Sequence, residues 1–355
     1  MVAATKYEPN HKTLTRAVLA ALAVLGAFLI VLPLAIGLPG KSAASGNLMN
    51  AFRPQMSSTA LAQSQTDAQT MSAMAVQLNT QMIPALAAQM HMTPQQLSAY
   101  LAGNFPAVGK GMTEFATILP FFHNLQATML AQQANFQQAD QIPTGSLPPT
   151  TMSALYIVPG VLLLLIGGIG LYRPRYGRRF IAAGSAVGLV LVAGLFSVSM
   201  YGKASSADTM TAAFKPIFTT QSVQNARAYT NTVEAMSTQF AQQTLPAVAA
   251  ALHVTPLQLN TLVAKDFPAV AAGVTQLPQI IVRMDTATRL IQANVDNFNQ
   301  SAAIPWTPGS MVAMFWFMMI PGLLAFALGA GALAVTQPRR SVVLRQRPAH
   351  GAMHS

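Results

Sequence analysis

The tripeptide Met90-His91-Met92 carries the residue types best suited to a chemical role in this chain. Thioether and imidazole groups are soft ligands that suit Cu(I), so these three residues are a candidate copper site. The same phrase recurs 162 residues later as Leu252-His253-Val254, which keeps the histidine and loses both thioethers. That loss favours a structural role, in which each histidine lies near a helix C-terminus, where the helix dipole favours imidazolium.

The residues that follow each histidine have the spacing of a capping box, in which an N-cap hydroxyl and a Gln three positions later cap the helix reciprocally. Thr93 and Gln96 have this spacing in the first phrase, and Thr255 and Gln258 have it in the second. A proline directly after each threonine suits the first helical position. We therefore predict that each phrase starts a short helix.

Phe105 and Phe267 each precede a proline and mark the end of these short helices. One interpretation is that the two aromatic rings line a groove that accepts a lipid or a hydrophobic partner. The alternative is that they fill the core at a helix junction, as buried aromatic side chains commonly do. The sequence favours the second interpretation and leaves the first open.

No recognisable catalytic motif accompanies these candidates. The chain has no P-loop, no His-Glu-x-x-His and no nucleophile elbow. Its nine acidic residues are scattered singly, which leaves little for paired-carboxylate chemistry. We predict a protein that is not an enzyme and needs no cofactor.

The composition indicates that the elements positioning these residues are membrane-anchored. Hydrophobic residues make up 52% of the 355 residues and charged residues only 8%, against about a quarter charged in soluble domains. Four stretches without any charged residue or histidine are long enough to cross a bilayer as helices, since about 20 residues suffice. They are residues 17–38, 153–172, 180–201 and 310–336.

The positions of Lys and Arg predict the orientation of these spans. Eleven of the 20 basic residues lie in the first sixteen residues, in the loop 173–179 and in the tail 337–355. The positive-inside rule places these three segments in the cytoplasm and the two long segments outside. The net charge of +11 therefore indicates topology rather than a nucleic-acid footprint. We expect an uncleaved first span and, from the composition, a bacterial plasma membrane.

The chain aligns with itself at an offset of 162 residues without a gap from residue 41 to residue 160, with 35 of 120 pairs identical. Each unit contains two spans, so both copies insert in the same sense as a parallel repeat. The predicted fold is an all-α membrane protein with four transmembrane helices and two homologous extracytoplasmic helical-hairpin domains. The predicted segments are 1–16 (cytoplasmic), 17–38 (span 1), 39–152 (outer domain 1), 153–172 (span 2), 173–179 (cytoplasmic loop), 180–201 (span 3), 202–309 (outer domain 2), 310–336 (span 4) and 337–355 (cytoplasmic tail).

Apolar residues in both long segments recur with a helical period before and after the capped phrase. Each segment is therefore predicted to be a hairpin with a long rising helix, a short helix at the tip and a long descending helix. Because one hairpin buries little apolar surface alone, we expect the two copies to form a single bundle.

Three functions are compatible with this organisation. The first is a scaffold or accessory subunit of cell-envelope machinery, with a membrane or envelope protein as its partner. The second is a carrier or binding protein for lipid or another hydrophobic compound, which requires an apolar cavity between the repeats. The third is a transmembrane receptor. Membrane lipids are expected partners in every case, nucleic acid in none, and the sequence does not define the oligomeric state.

Overall fold

The computed structural model describes residues 11–142, 151–305 and 310–335, and every regular element in these ranges is a helix. The first ten residues, residues 143–150 and 306–309, and the predicted basic tail 337–355 lie outside the described residues. The chain forms two compact units. The span unit comprises Met1–Leu32, Tyr156–Gly194 and Phe317–Ser355, and the bundle unit comprises Pro33–Leu155 and Leu195–Trp316.

Four helices are long and apolar enough to cross a membrane, which confirms an all-helical fold with four candidate membrane-spanning helices among the described residues. They are α1 (His11–Ala35), α7 (Met152–Tyr172), α8 (Gly177–Ser197) and α15 (Met311–Val335). Low charge and long apolar runs account for all four, because a backbone in lipid must satisfy its hydrogen bonds within the helix.

Two of these helices end earlier than the predicted spans. The chain leaves α1 through Gly37 and leaves α8 through Ser199, and both residues adopt the left-handed backbone conformation. A left-handed residue cannot continue an α-helix, so a new helix begins directly after each break. The predicted limits at residues 38 and 201 therefore fall inside the next helices.

The helices of the bundle unit start at positions that differ by 162 residues between the halves, with one exception. In the first half they are α2 (Leu38–Phe52), α3 (Ser58–Gln77), α4 (Ile83–Gln89), α5 (Pro94–Asn104) and α6 (Pro106–Ala139). In the second half they are α9 (Met200–Phe214), α10 (Thr220–Gln239), α11 (Leu245–Ala251), α12 (Pro256–Asp266), α13 (Pro268–Ala293) and α14 (Val295–Ala302). The exception is that α6 of the first half corresponds to two helices, α13 and α14, in the second. Below, the counterpart of a residue is the residue 162 positions away.

The rising helix of each half is less continuous than the sequence predicts. A π-helical turn, Leu78–Met82 in one half and Phe240–Thr244 in the other, separates its two parts. Pro84 and Pro246 follow these turns at the second position of the next helix. Because a proline ring clashes with the carbonyl four residues earlier in a regular α-helix, the wider π turn accommodates it.

The four long helices of the bundle unit pack as a ring. Helix α3 contacts α6 and α13, and α10 contacts the same two helices. Helices α2 and α9 also cross between the halves, because α2 packs on α14 and α9 packs on α6. The two halves therefore share one hydrophobic core, and neither hairpin forms a separate domain.

Glycines bring the helices of the span unit into close contact. A Cβ added at Gly167 would overlap the backbone of α1 at Ala23, and one added at Gly329 would overlap Ser185 on α8. A Cβ at the neighbouring Gly168 would meet nothing. Small residues let membrane helices approach closely, so these contacts pair α1 with α7 and α8 with α15.

Candidate functional site

His91 occupies a helix-ending position. It adopts a left-handed conformation (φ 56°) directly after α4. Its N–H donates to the Ala88 carbonyl, and the Met92 N–H donates to the Ala87 carbonyl at 2.8 Å. These two bonds form a Schellman motif, which usually places glycine at the left-handed position. Histidine tolerates that conformation better than most residues, which gives a structural reason for its presence.

His253 plays the same part after α11, with φ 55° and a hydrogen bond from the Val254 N–H to the Ala249 carbonyl. Directly after each histidine a capping box starts the next helix. The side chains of Thr93 and Thr255 accept from the backbone N–H of Gln96 and Gln258.

The two Gln side chains accept in return from the threonine N–H groups at 2.8 Å. Each repeated phrase is thus a helix stop followed by a helix start. Within the described ranges, no three His, Asp or Glu residues come together as metal ligands.

Phe105 and Phe267 lie in the core, each 8% exposed. Each belongs to the apolar cluster that joins α5 or α12 to the long helices. The edge of the Phe105 ring also meets Tyr100, with 6.4 Å between the ring centroids. Neither ring lines a cavity among those found in the described residues. Both rings therefore lie where side chains that fill the core at a helix junction would lie.

A small cavity of about 110 Å³ lies between the halves, beside the two π turns. Met74, Leu78, Met236 and Phe240 line it together with other apolar side chains. A dry cavity of about 150 Å³ can take a molecule the size of benzene, so this one is too small for a lipid chain. We call it the core cavity.

Each half caps a long helix of the other half. The Gln77 Oε1 accepts from the N–H groups of Ala269 and Val270 at 2.7 and 3.1 Å, in the first turn of α13. Its counterpart Gln239 accepts from Ala107 and Val108 in the first turn of α6. Helices α6 and α13 begin at Phe-Pro and have no cap of their own. The glutamines therefore satisfy backbone donors that would otherwise lack partners.

A second pair of contacts also joins each half to the other half. Met236 packs on Gly111, and its counterpart Met74 packs on Gly273, at positions where an added Cβ would overlap the methionine side chain. Glycine at these positions therefore lets α10 approach α6 and lets α3 approach α13.

A cavity of the bundle unit has a volume of about 570 Å³, which lies in the range of small-molecule sites. We call it the chamber. Helices α2, α9 and α14 line it, together with the ends of α6 and the first residues of α7 and α15. Its apolar wall consists mainly of Leu38, Met49, Ile142, Met152, Met210, Phe298, Ile304 and Met311.

One hydroxyl in the chamber wall lacks a hydrogen-bond partner. Ser42 on α2 is 3% exposed, and its Oγ forms no hydrogen bond. Ser153, close to the chamber residue Met152, is the other buried serine in the described ranges with an unpartnered Oγ. Buried polar groups are nearly always paired, and an exception calls for an explanation such as an absent ligand or water.

The carboxylate of the acidic residue in the chamber lining accepts hydrogen bonds from other residues of the protein. Asp208 on α9 accepts from the Ser310 hydroxyl and the Met311 N–H, both at 2.6 Å, and from the Val312 N–H at 3.1 Å. It therefore caps α15, where the positive end of the helix dipole favours a carboxylate. Gly46, its counterpart, has no such group.

Lysines at the start of α2 and α9 tie the two halves together beside the chamber. The Lys41 Nζ donates to the carbonyls of Ala303 and Pro305 at 2.6 and 2.8 Å. Burial lowers the pKa of the Lys41 ammonium. Its counterpart Lys203 donates to the Gln141 carbonyl at 3.1 Å. Each ammonium meets carbonyls at the end of the other half's descending helix, where a cation is favoured.

The two halves differ in the cation that follows α2 and α9. Arg53 forms a two-pronged ion pair with Asp140 at 2.7 and 2.8 Å. The hydrogen bonds that Arg53 donates to this carboxylate, together with the carboxylate's negative charge, raise the pKa of Arg53. Lys215, the counterpart of Arg53, lines the chamber and has no ion pair among the described residues. Ala302 replaces Asp140 and also lines the chamber.

Sequence reasoning singled out none of the chamber residues. Ser42, Lys215 and Ala302 lie far apart in the chain and belong to no motif. One signal was present, because the acid at position 140 has alanine as its counterpart while the basic residue is retained.

Comparison with known proteins adds no assignment, since no family model and no curated protein matches the chain.

Proposed function

We propose that the chain is a duplicated membrane protein with both bundle segments outside the cytoplasm. Support for duplication comes from the aligned sequence and from helix bounds that recur at the same offset. Support for the orientation comes from the basic residues, which concentrate in the short segments. Two spans per copy give both copies the same sense of insertion.

The absence of cysteine makes this topology directly testable. Single cysteines introduced at exposed positions of each half, Ala131→Cys and Ala272→Cys, should both react with a membrane-impermeant maleimide on intact cells. A cysteine at Arg175, in the loop between α7 and α8, should react only after permeabilisation. Labelling of the two bundle positions from opposite faces would exclude a parallel duplication.

The function that the geometry supports best is binding of an amphiphile, with its apolar part in the chamber. The observation that carries this proposal is a cavity of about 570 Å³ with a largely apolar wall to which both halves contribute. The carrier hypothesis requires a cavity of this kind, whereas a scaffold does not. The acidic side chain in the described lining, Asp208, is engaged in capping α15.

Filling the chamber tests this function. Ala302→Phe places a ring in the chamber wall, and Ala131→Phe adds the same ring at an exposed position of α6. Each full-length protein would be purified in mild detergent, and its retained lipids would be identified by mass spectrometry. We expect a stoichiometric amphiphile with the wild type and with Ala131→Phe, and its loss with Ala302→Phe. Equal lipid content in all three proteins would refute the proposal.

A scaffold function is the second candidate. The specific observation in its favour is that several large apolar side chains of the bundle unit are exposed, among them Leu257 at 77% and Val282 at 65%. Exposed apolar surface can mark a protein-binding face when it is contiguous. Recovery of a stoichiometric protein partner, with no bound lipid, would favour this function over the first.

A further inference from the structure

We infer that the chamber selects an amphiphile with an anionic headgroup, which pairs with Lys215, and with a hydrogen-bonding group at the head of its chain, which meets Ser42. This inference rests on the proposed binding function and specifies its ligand class. Two independent observations support it, an unpaired cation and an unpartnered buried hydroxyl, both in the wall of the same chamber.

The unpaired cation is the first observation. In the first half, Asp140 neutralises Arg53 through two short hydrogen bonds. In the second half the basic residue is kept as Lys215, while alanine replaces the acid. This replacement leaves an exposed ammonium and a small side chain at the rim of the chamber, where the other half has an ion pair at its surface. A carboxylate or phosphate of a ligand would restore the missing pair through a charge-assisted bond.

The unpartnered hydroxyl is the second observation. Ser42 is almost completely buried, so water does not readily satisfy its Oγ. An ester or carboxyl oxygen entering the chamber would accept a hydrogen bond from it. Because alanine stands at the counterpart position 204, this donor exists in one half only. A ligand held by both groups therefore binds in one defined direction.

The dimensions of the chamber are compatible with a single acyl chain. Its lining residues on α9 extend from Ala207 to Lys215, about 12 Å of helix at 1.5 Å per residue. On α2 they extend from Leu38 to Met49, about 16 Å. Asp208 also lies in this lining, but its carboxylate already accepts three hydrogen bonds from residues at the start of α15. The only cation that the described lining contributes is Lys215.

The test uses two probes with the same single acyl chain, lysophosphatidylglycerol, which is anionic, and lysophosphatidylcholine, which is zwitterionic. Native mass spectrometry of the full-length protein in mild detergent counts the bound molecules at submicellar probe concentration. The variants are Lys215→Gln, Lys215→Arg and Ser42→Ala. Lys265→Gln is the matched control, because it removes the same charge from an exposed position outside the chamber.

We expect the wild type to prefer the anionic probe, and Lys215→Gln to reduce that preference about tenfold, as the loss of one charge-assisted bond implies. Lys215→Arg and Lys265→Gln should keep the preference. Ser42→Ala should weaken both probes equally, because both carry the same ester.

Binding without headgroup preference, or a preference that survives Lys215→Gln, would overturn the inference and leave the binding function standing. Failure of both probes to bind, with no effect of Ala302→Phe on retained lipid, would overturn both.

Discussion

Removing the glutamines that cap across the halves should destabilise the bundle far more than removing their exposed neighbours. In Gln77→Ala the N–H groups of Ala269 and Val270 lose their acceptor, and these groups are partly buried. Loss of a helix cap costs about 1–2 kcal/mol. The double variant with Gln239→Ala should therefore lose about 2–4 kcal/mol of unfolding free energy if the two sites are independent.

The matched control lies one turn further along each helix. Gln81 and Gln243 accept hydrogen bonds from the capping glutamines at 3.1 Å, but both are exposed. Their double alanine variant should lose only a few tenths of a kcal/mol. Gln77→Glu offers a second control, because a carboxylate also accepts from helix N-terminal donors and is favoured by the dipole.

Thermal unfolding of the full-length protein in mild detergent, followed by circular dichroism at 222 nm, measures these differences. At about 2–4 °C per kcal/mol for a unit of this size, the double cap variant should melt roughly 4–16 °C below the wild type. Gln77→Glu should melt close to the wild type. Equal melting of the cap variant and the Gln81/Gln243 control would refute the idea that these bonds hold the halves together.

Two further changes test other parts of the fold with the same assay. His91→Gly and His253→Gly should each raise the unfolding free energy by up to about 1 kcal/mol, since glycine adopts the left-handed conformation without strain. A fall in stability, together with Cu(I) binding by the wild-type protein that His91→Gly loses, would instead support the copper site. Gly167→Leu should destabilise the span unit by about 1–3 kcal/mol because its side chain would overlap α1, whereas Gly168→Leu should be tolerated; equal effects of the two would contradict the close packing of α1 on α7.

The features that the sequence predicted are those decided by local chemistry. The four spans follow from apolar runs of sufficient length, and the starts of α5 and α12 follow from a threonine, a proline and a glutamine in fixed positions. The break at Ser199 was missed because serine carries no strong signal for a left-handed backbone. The copper hypothesis arose from side-chain types alone, whereas the backbone conformation of His91 explains the residue.

The features that could not be predicted depend on contacts between distant residues. The helical period of the apolar residues shows which face of α3 is buried, but it does not show that Gln77 reaches the start of α13. The chamber likewise exists because α2 packs on α14 and α9 packs on α6. Ser42 is an ordinary small residue in the sequence, and only its burial without a partner distinguishes it.

Differences between the halves are of two kinds, and the distinction bears on the proposed binding function. Asp67 pairs with Arg283 at 2.6 Å, and their counterparts Tyr229 and Phe121 pack edge to face at 5.2 Å. One stabilising contact has thus replaced another at an equivalent crossing, which maintains the fold. At the chamber the differences have no such compensation, because Ala302 leaves a lysine unpaired and position 42 has an unpartnered hydroxyl. Water solvates the exposed Lys215 when no ligand is present, but the buried Ser42 hydroxyl has no partner, and a bound amphiphile that pairs with both groups would account for the two differences together.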